Sequence, residues 1–198
     1  MSTPTDVEQV EAANTAYYEA MERGDFEELS GLWLAPGDLP ADEFAEYAEY
    51  TANAEAAEGT EDGEDTESTE DNGTTGGTRN ARVGQIFCVH PGWHALTGRG
   101  EVLRSYALIM ANTEYIQFFL TDVQVSVAGD TALVSCTENI LSGGPAPEDS
   151  DELGPLVGQL VVATNVFRRT PDGWKLWSHH ASPVLAETDE DEADDTPA

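Results

Sequence analysis

Apolar residues recur at helical spacing in three stretches of the chain. The first stretch follows Asp6, which can cap a helix, and it ends at Gly24. The second starts directly at Asp25, which has a glutamate three residues further on, and it stops at Pro36. The third begins after Gly98 and lasts for about three turns. The sequence therefore predicts three short amphipathic helices.

Alternating apolar and polar residues mark the strands. A short apolar strand is predicted at 83–90, where Pro91 breaks it. Four further strands joined by turns are predicted at 115–127, 131–141, 159–169 and 174–182. Helices that precede a run of antiparallel strands indicate an α+β fold. We expect a curved antiparallel sheet wrapped around the three helices, with a cone-shaped cavity at one end.

Acidic residues interrupt this pattern in two segments. The chain has 198 residues with 39 Asp and Glu against eight Lys and Arg, a formal charge of −31. Segments 41–80 and 187–198 carry much of that charge and too little apolar surface to offset the entropy of ordering. We predict one domain over 1–186 that contains a disordered acidic insertion at about 41–80, followed by a disordered tail at 187–198. The insertion is interpreted as a solvated spacer, with binding of a basic partner or adaptation to high salt as alternatives.

The charge and the hydropathy exclude several classes of partner. A strongly negative chain repels nucleic acid and anionic membranes, and no stretch approaches the roughly 18 apolar residues of a membrane helix. The first residues lack the features of a signal peptide, so a cytoplasmic location is expected. Cys88 and Cys136 lie in apolar runs without CxxC spacing, which predicts buried free thiols. No cofactor signature is found.

Histidines are the first candidates for chemistry. His90 ends the first predicted strand, with Trp93 close behind, so we expect both near the mouth of the cavity. An imidazole there could act as a general acid or base, although it could equally hydrogen-bond a loop backbone. His179 and His180 form a doublet that must place one ring on each side of the sheet. We predict no metal site, because the HxxxH spacing of His90 and His94 contains a Pro-Gly pair that prevents a shared helical face.

Four segments resemble the SnoaL-like, nuclear transport factor 2-like superfamily. They are VEAANTAYYEAMERGDFEELSGLW, CVHPGWHALTGRGEVLRSY, LTDVQVSVAGDTALVSC and ATNVFRRTPDGWKLWSHHASPV. This superfamily includes ketosteroid isomerases, polyketide cyclases and the association domain of calcium/calmodulin-dependent kinase. The resemblance implies the same cone-shaped fold, although the long acidic insertion departs from the short loop that is usual in the family.

The resemblance also implies which side chains line the cavity. Similarity to the kinase association domain places Asn139 inside it, and the same alignment turns Trp177 and His179 inward while Trp174 and Leu176 face away. Strand alternation then turns Glu138 outward, which leaves no carboxylate for an isomerase mechanism. The predicted catalytic residues are His90 and His179, and the predicted pocket residues are Tyr17, Tyr18, Trp33, Trp93, Asn139 and Trp177.

Three functions follow from these expectations. The first is a small-molecule-binding SnoaL-like domain that takes a small hydrophobic ligand, with its catalytic activity left open. The second is an enzyme of isomerase, cyclase or hydratase type acting on a small hydrophobic carbonyl compound. The third is a dimerisation or assembly module without a ligand. A homodimer through the outer face of the sheet is expected in the first case.

Overall fold

In the part of the chain that the structure describes, three helices cover one face of a six-stranded sheet. The structure is a computed structural model that describes residues 4–39, 85–144 and 155–185. The acidic insertion predicted at 41–80 and the tail predicted at 187–198 lie outside the described residues. Among the helices described, none is long and apolar enough to span a membrane.

Helix α1 (Asp6–Arg23) has its N-cap one residue before the predicted cap Asp6. Thr5 is the N-cap: its extended backbone lets its hydroxyl accept from Glu8 N, and the Glu8 carboxylate accepts from Thr5 N in return. Gly24 ends the helix with a φ of 63°, a left-handed conformation that a residue without a Cβ adopts at little cost. The predicted stop is therefore confirmed and the predicted Asp6 cap is wrong.

Helix α2 (Phe26–Leu32) starts as predicted and ends early. The Asp25 carboxylate accepts from Glu28 N at 2.9 Å, which is the predicted cap. The helix stops before Trp33, whose backbone is extended and bridges to Leu176 on the last strand. The attraction of Trp33 to the sheet edge thus ends the helix before Pro36 is reached.

Helix α3 (Arg99–Asn112) is tied to the end of α2 by one guanidinium group. Arg99 donates to the carbonyl oxygens of Trp33, Leu34 and Ser30 at 2.8, 3.1 and 2.6 Å, and to the Ser30 hydroxyl at 2.9 Å. These carbonyls are the unpaired acceptors at the C-terminal end of a helix, so a cation there satisfies them and the helix dipole together.

The sheet has the strand order β2-β1-β6-β5-β4-β3. Its strands are β1 (Phe87–Val89), β2 (Leu96–Thr97), β3 (Tyr115–Ala128), β4 (Thr131–Gly143), β5 (Leu156–Thr170) and β6 (Gly173–Pro183). The long strands form an antiparallel meander as predicted, whereas β1 runs parallel to β6. Strand β1 is shorter than predicted, and β2 was not predicted.

Two β-bulges bend the sheet and reverse its side-chain alternation. On β3, Asp122 and Val123 together oppose a single residue of β4, and Asp122 has a φ of 53°. On β6, Trp177 is the extra residue between the pairs Val166–Ser178 and Phe167–Leu176. A bulge increases the local twist and bends the strand, so both contribute to the curvature around the helices.

The helices pack on the face of β4 that carries Ala132, Val134, Cys136, Glu138 and Ile140, which are all buried. The intervening residues, among them Leu133 and Asn139, belong to the outer face, the side of the sheet turned away from the helices. The two predicted free thiols, Cys88 and Cys136, are confirmed and are buried.

Candidate functional site

A buried carboxylate lies at the centre of the helix-covered face. Glu138 on β4 is only 2% exposed, and the Tyr18 hydroxyl on α1 donates to its Oε1 at 2.6 Å. Its cross-strand neighbours are the apolar side chains of Leu120 and Val161. Burial raises the pKa of Glu138 to about 7, although the hydrogen bond from Tyr18 lowers it in part. This carboxyl group can therefore exchange a proton near neutral pH.

Glu138 was predicted to face outward and Asn139 inward, and both orientations are wrong. Asn139 donates to Phe119 O at 3.0 Å and to the Thr121 hydroxyl at 3.3 Å, on the outer face. A signal was available: the alternate residues Ala132, Val134, Cys136 and Ile140 are more apolar than those between them, which indicates that their side faces the core.

The bulge on β6 explains a second correction. Trp174 and Leu176 were expected to face away from the cavity, yet both are buried, as is His179. The extra residue at Trp177 breaks the strict alternation between them. Trp177 itself is half-buried and its indole N–H donates to Gln85 O at 3.0 Å.

An asparagine on β5 connects the carboxylate to a histidine. The Asn165 amide group donates to Asn14 Oδ1 at 2.8 Å and to the Tyr18 hydroxyl at 3.0 Å. Its own oxygen lies 2.7 Å from His179 Nδ1 and can only accept, so His179 carries its proton on Nδ1. Burial lowers the pKa of His179 to about 3, so the ring is neutral and its Nε2 lone pair remains an acceptor. Because Tyr18 accepts from Asn165, its own proton is directed to Glu138.

Two tyrosine hydroxyls form a second buried pair. Tyr17 on α1 and Tyr106 on α3 have their oxygens 2.7 Å apart, and the Tyr17 ring lies 5.5 Å from that of His179. One hydroxyl donates to the other, which leaves the second proton for a further acceptor. The Cys88 sulfur is 3.6 Å from the Tyr106 oxygen. Burial raises the pKa of both tyrosines well above the ordinary value, so both stay protonated.

His90 lies between this cluster and the surface. Its Nε2 is 2.7 Å from the Ser105 hydroxyl, which donates its only proton to Val102 O, so His90 donates from Nε2. The bond to a serine side chain replaces the loop-backbone bond considered above. The centroid of the His90 ring lies 4.9 Å from that of the Tyr106 ring and 6.3 Å from that of the His179 ring. Burial lowers the pKa of His90 to about 4, so this imidazole is also neutral.

A groove of about 240 Å³ opens beside His90. Ser105 lines it, and so does Trp93, which is 40% exposed and contacts the His90 ring at 5.2 Å. The expectation that His90 and Trp93 lie near the mouth of a ligand cavity stays a prediction.

Trp33 also belongs to the aromatic wall of the cluster. Its ring lies 6.4 Å from Tyr17 and 5.8 Å from Tyr106. Among the buried side-chain nitrogen and oxygen atoms of the described residues, only the indole nitrogens of Trp33 and Trp174 lack a partner. Within the same residues, no group of three His, Cys, Asp or Glu side chains could hold a metal ion.

Comparisons with known proteins agree on the family. A family model of the SnoaL-like domain matches residues 80–187. The chain is 67% identical to a proposed dehydratase of the nuclear transport factor 2-like family from Streptomyces avermitilis, over 93% of this chain and 100% of that one, with a TM-score of 0.69. The chain belongs to the SnoaL-like family. No curated protein matches this SnoaL-like domain.

More distant structures share the fold alone. A ketosteroid isomerase-like protein from Erwinia carotovora atroseptica is 14% identical to this chain, with a TM-score of 0.56. The match covers 93% of this chain and 100% of that protein. A proposed scytalone dehydratase from Novosphingobium aromaticivorans is 10% identical over 89% and 83%, with a TM-score of 0.56. The α+β fold predicted for the SnoaL-like domain is thereby confirmed.

Two motifs of the SnoaL-like domain now have distinct roles. The segment CVHPGW supplies Cys88 and His90 to the buried cluster and Trp93 to the groove beside it. The segment LTGR supplies Arg99, which binds the carbonyls at the end of α2. The first motif therefore concerns the site and the second concerns packing of the helices.

Proposed function

We propose that this SnoaL-like domain is an acid–base enzyme that removes water from a small β-hydroxy carbonyl compound, and adds it in the reverse direction. The observation that carries this proposal is the buried pair of Glu138 and Tyr18, with Oε1 and the hydroxyl 2.6 Å apart. A carboxyl group whose pKa burial raises to about 7 can both accept and return a proton at neutral pH. The similarity to a proposed dehydratase at 67% identity supports the same reaction class.

Elimination needs three tasks that these side chains can perform. The Glu138 carboxylate takes the proton on the carbon next to the carbonyl, and the C–H electron pair moves onto the carbonyl oxygen. The Tyr17–Tyr106 pair, which has one hydroxyl proton to spare, donates to that developing oxyanion. The electron pair then returns to form the double bond, hydroxide leaves from the β carbon, and the proton on Glu138 converts it to water.

The neutral histidines support this assignment. A cationic imidazole beside Glu138 would hold the carboxylate in its ionised form and weaken it as a base. Burial instead lowers the pKa of His179 to about 3 and of His90 to about 4. Asn165 fixes the Nδ1–H tautomer of His179, so its Nε2 can accept a hydrogen bond from the substrate hydroxyl. His179 therefore orients substrate, and Glu138 transfers the proton.

A turnover assay tests the proposal. A panel of β-hydroxy ketones, including the one that dehydrates to benzylideneacetone, is followed by growth of enone absorbance. We expect Glu138→Gln to lower kcat by about 100-fold or more while the fold persists, since general base catalysis contributes 10²–10⁴-fold. Glu22→Gln is the control, because Glu22 binds Phe118 N and Gln117 outside the cluster. Equal rates in wild type and Glu138→Gln, or no turnover of the panel by wild type, would contradict the proposal.

We also propose a homodimer through the outer face of the sheet. Phe119, Asn139 and Leu160 lie opposite one another on three adjacent strands, and Val162 follows two residues after Leu160. Phe119 is 57% exposed, and Leu160 and Val162 are each 46% exposed. A group of exposed large apolar side chains around one asparagine is typical of an interface.

Light scattering after size-exclusion chromatography tests the dimer. Wild type is expected at twice the chain mass, and Leu160→Lys combined with Val162→Lys is expected as a monomer. Val7→Lys is the matched control, because Val7 is 41% exposed on α1, which packs on the opposite face of the sheet from this patch. A monomeric wild type, or a double variant that stays dimeric, would contradict the proposed interface.

We further propose a cytoplasmic location. Its support is the pair of buried free thiols at Cys88 and Cys136, because unpaired cysteines persist in a reducing compartment. Cell fractionation tests this location, and recovery of the protein outside the cytoplasmic fraction would contradict it.

A further inference from the structure

The groove beside His90 is connected to the buried cluster through one residue. Ser105 lines the groove, and its hydroxyl is 2.7 Å from His90 Nε2. The His90 ring in turn contacts Tyr106 and His179. A small molecule bound in this groove therefore lies against Ser105, one hydrogen bond away from His90.

Arg104 lines the same groove, and none of the described residues forms a hydrogen bond or an ion pair with its side chain. Of the Lys and Arg side chains in residues 4–39, 85–144 and 155–185, it alone has neither a hydrogen bond nor an ion pair. The others are bound to carboxylates, carbonyls or hydroxyls. In a chain with a formal charge of −31, a free guanidinium beside a site entrance is a local exception to the repulsion of anions.

The remaining groups in the groove leave that cation available. Glu101 also faces the groove, but its carboxylate accepts from Thr97 N at 3.2 Å and forms no ion pair with Arg104. His94 and Leu108 complete the polar and apolar sides, and Trp93 offers an exposed ring. The groove thus combines the guanidinium of Arg104, whose N–H donors are available, with the exposed ring of Trp93. This combination suits a ligand that has a carboxylate attached to a flat apolar group.

We infer that Arg104 is a specificity-determining residue that binds the carboxylate of the substrate at the entrance of the site. The substrate class is then a β-hydroxy carbonyl compound that also bears a carboxylate, with its apolar part against Trp93. The substrate class rests on the proposed function, because it assumes that the protein catalyses the dehydration. Binding of a carboxylate by Arg104 does not depend on that reaction and can be measured without turnover. Arg104 would position the molecule and takes no part in proton transfer.

Cinnamate and cinnamamide are suitable probes, since they share one shape and differ in charge. Isothermal titration calorimetry on the full chain should show cinnamate binding about tenfold more tightly than cinnamamide, because its carboxylate accepts charge-assisted hydrogen bonds from the guanidinium. We expect Arg104→Met to bring the two affinities within about twofold, and Arg104→Lys to retain most of the preference. Added salt should weaken the binding of cinnamate and leave the binding of the neutral cinnamamide unchanged.

Arg23→Met is the matched control, because it removes the same charge from an ion pair with Glu28 at the far end of α1. It should keep the preference for cinnamate. An equal preference in Arg104→Met and wild type, or no binding of cinnamate by wild type, would overturn the inference.

The binding result also separates this inference from the proposed reaction. Glu138→Gln should keep the full preference for cinnamate, since Glu138 does not line the groove. A preference that depends on Arg104 in a protein without turnover would defeat the proposed reaction and leave the carboxylate site standing. If the neutral ketones are turned over but Arg104→Met leaves the preference for cinnamate unchanged, the proposed reaction stands and the carboxylate site is overturned.

Discussion

The Tyr18 hydroxyl donates to Glu138 at 2.6 Å and accepts from Asn165 at 3.0 Å. This arrangement fixes the direction of the bond, because a hydroxyl that already accepts from the amide must turn its proton to the carboxylate. The carboxylate is held in an apolar neighbourhood by two strands, and a single donor offsets part of the desolvation. The balance of these two effects sets the pH at which Glu138 gains its proton.

Removing the donor should move that pH upward. Tyr18→Phe deletes the hydrogen bond that lowers the pKa of Glu138 and leaves the burial that raises it. We expect the acid limb of the pH dependence of kcat/KM, where activity rises as Glu138 ionises, to shift to higher pH with the fold intact. Asn139→Ala is the control, because Asn139 binds Phe119 O on the outer face and should leave the limb in place. An unshifted limb in Tyr18→Phe would show that this bond does not tune the carboxyl group.

The same carboxyl group should destabilise the folded protein at high pH. Its folded-state pKa of about 7 lies above the ordinary 4.5, so folding favours the protonated form and stability is lost as pH rises through that window. The loss is about 3 kcal/mol at most, at about 1.4 kcal/mol for each pKa unit. In urea unfolding, Glu138→Gln should match wild type at about pH 4.5 and exceed it at about pH 8. Parallel curves for the two proteins would contradict this.

The buried histidines should have the opposite effect, at lower pH. Burial lowers the pKa of His90 to about 4 and of His179 to about 3, from 6.5, so stability falls as pH drops from 6.5 toward those values. Below pH 6.5, we expect the free energy of unfolding of His90→Gln to depend less steeply on pH than that of wild type. The difference corresponds to one proton, about 1.4 kcal/mol per pH unit. His180→Gln is the control, since that ring is exposed. The same acid slope in His90→Gln and wild type would argue against a neutral buried His90.

The bulge on β3 should depend on the left-handed backbone of Asp122. With its φ at 53°, Asp122→Gly should be neutral or slightly stabilising, and Asp122→Val should destabilise by about 1–2 kcal/mol. The loss of the bond from the Thr137 hydroxyl is common to both variants. Thermal unfolding of the two proteins checks this, and equal melting temperatures would mean that the turn of the backbone carries no strain.

Periodicity was sufficient for the helices and the long strands because each buries one apolar side. It placed α1, α3 and the meander close to their observed bounds, and Tyr17, Tyr18 and His179 do meet in one cluster. The short strands β1 and β2 depend on pairing with distant residues, which no local pattern reports.

The central residue of the site was missed for a physical reason. A single glutamate on an otherwise apolar face contradicts the usual rule that charged residues face water, so Glu138 was turned outward. The extra residues at Asp122 and Trp177 then reverse the alternation on the flanking strands, and a two-residue period cannot reveal where that happens. Asn165, which joins Tyr18 to His179, carries no sequence signal of its own.

The most direct test is a carbon-detected NMR titration of the protein with ¹³C-labelled glutamate side chains, in wild type and in Glu138→Gln. The structure predicts that one carboxyl resonance titrates with a midpoint near pH 7 in wild type and is missing from the variant. If every glutamate in wild type instead titrates below about pH 5, in the usual range for exposed carboxyl groups, Glu138 is not a buried proton carrier and the account of this site is wrong.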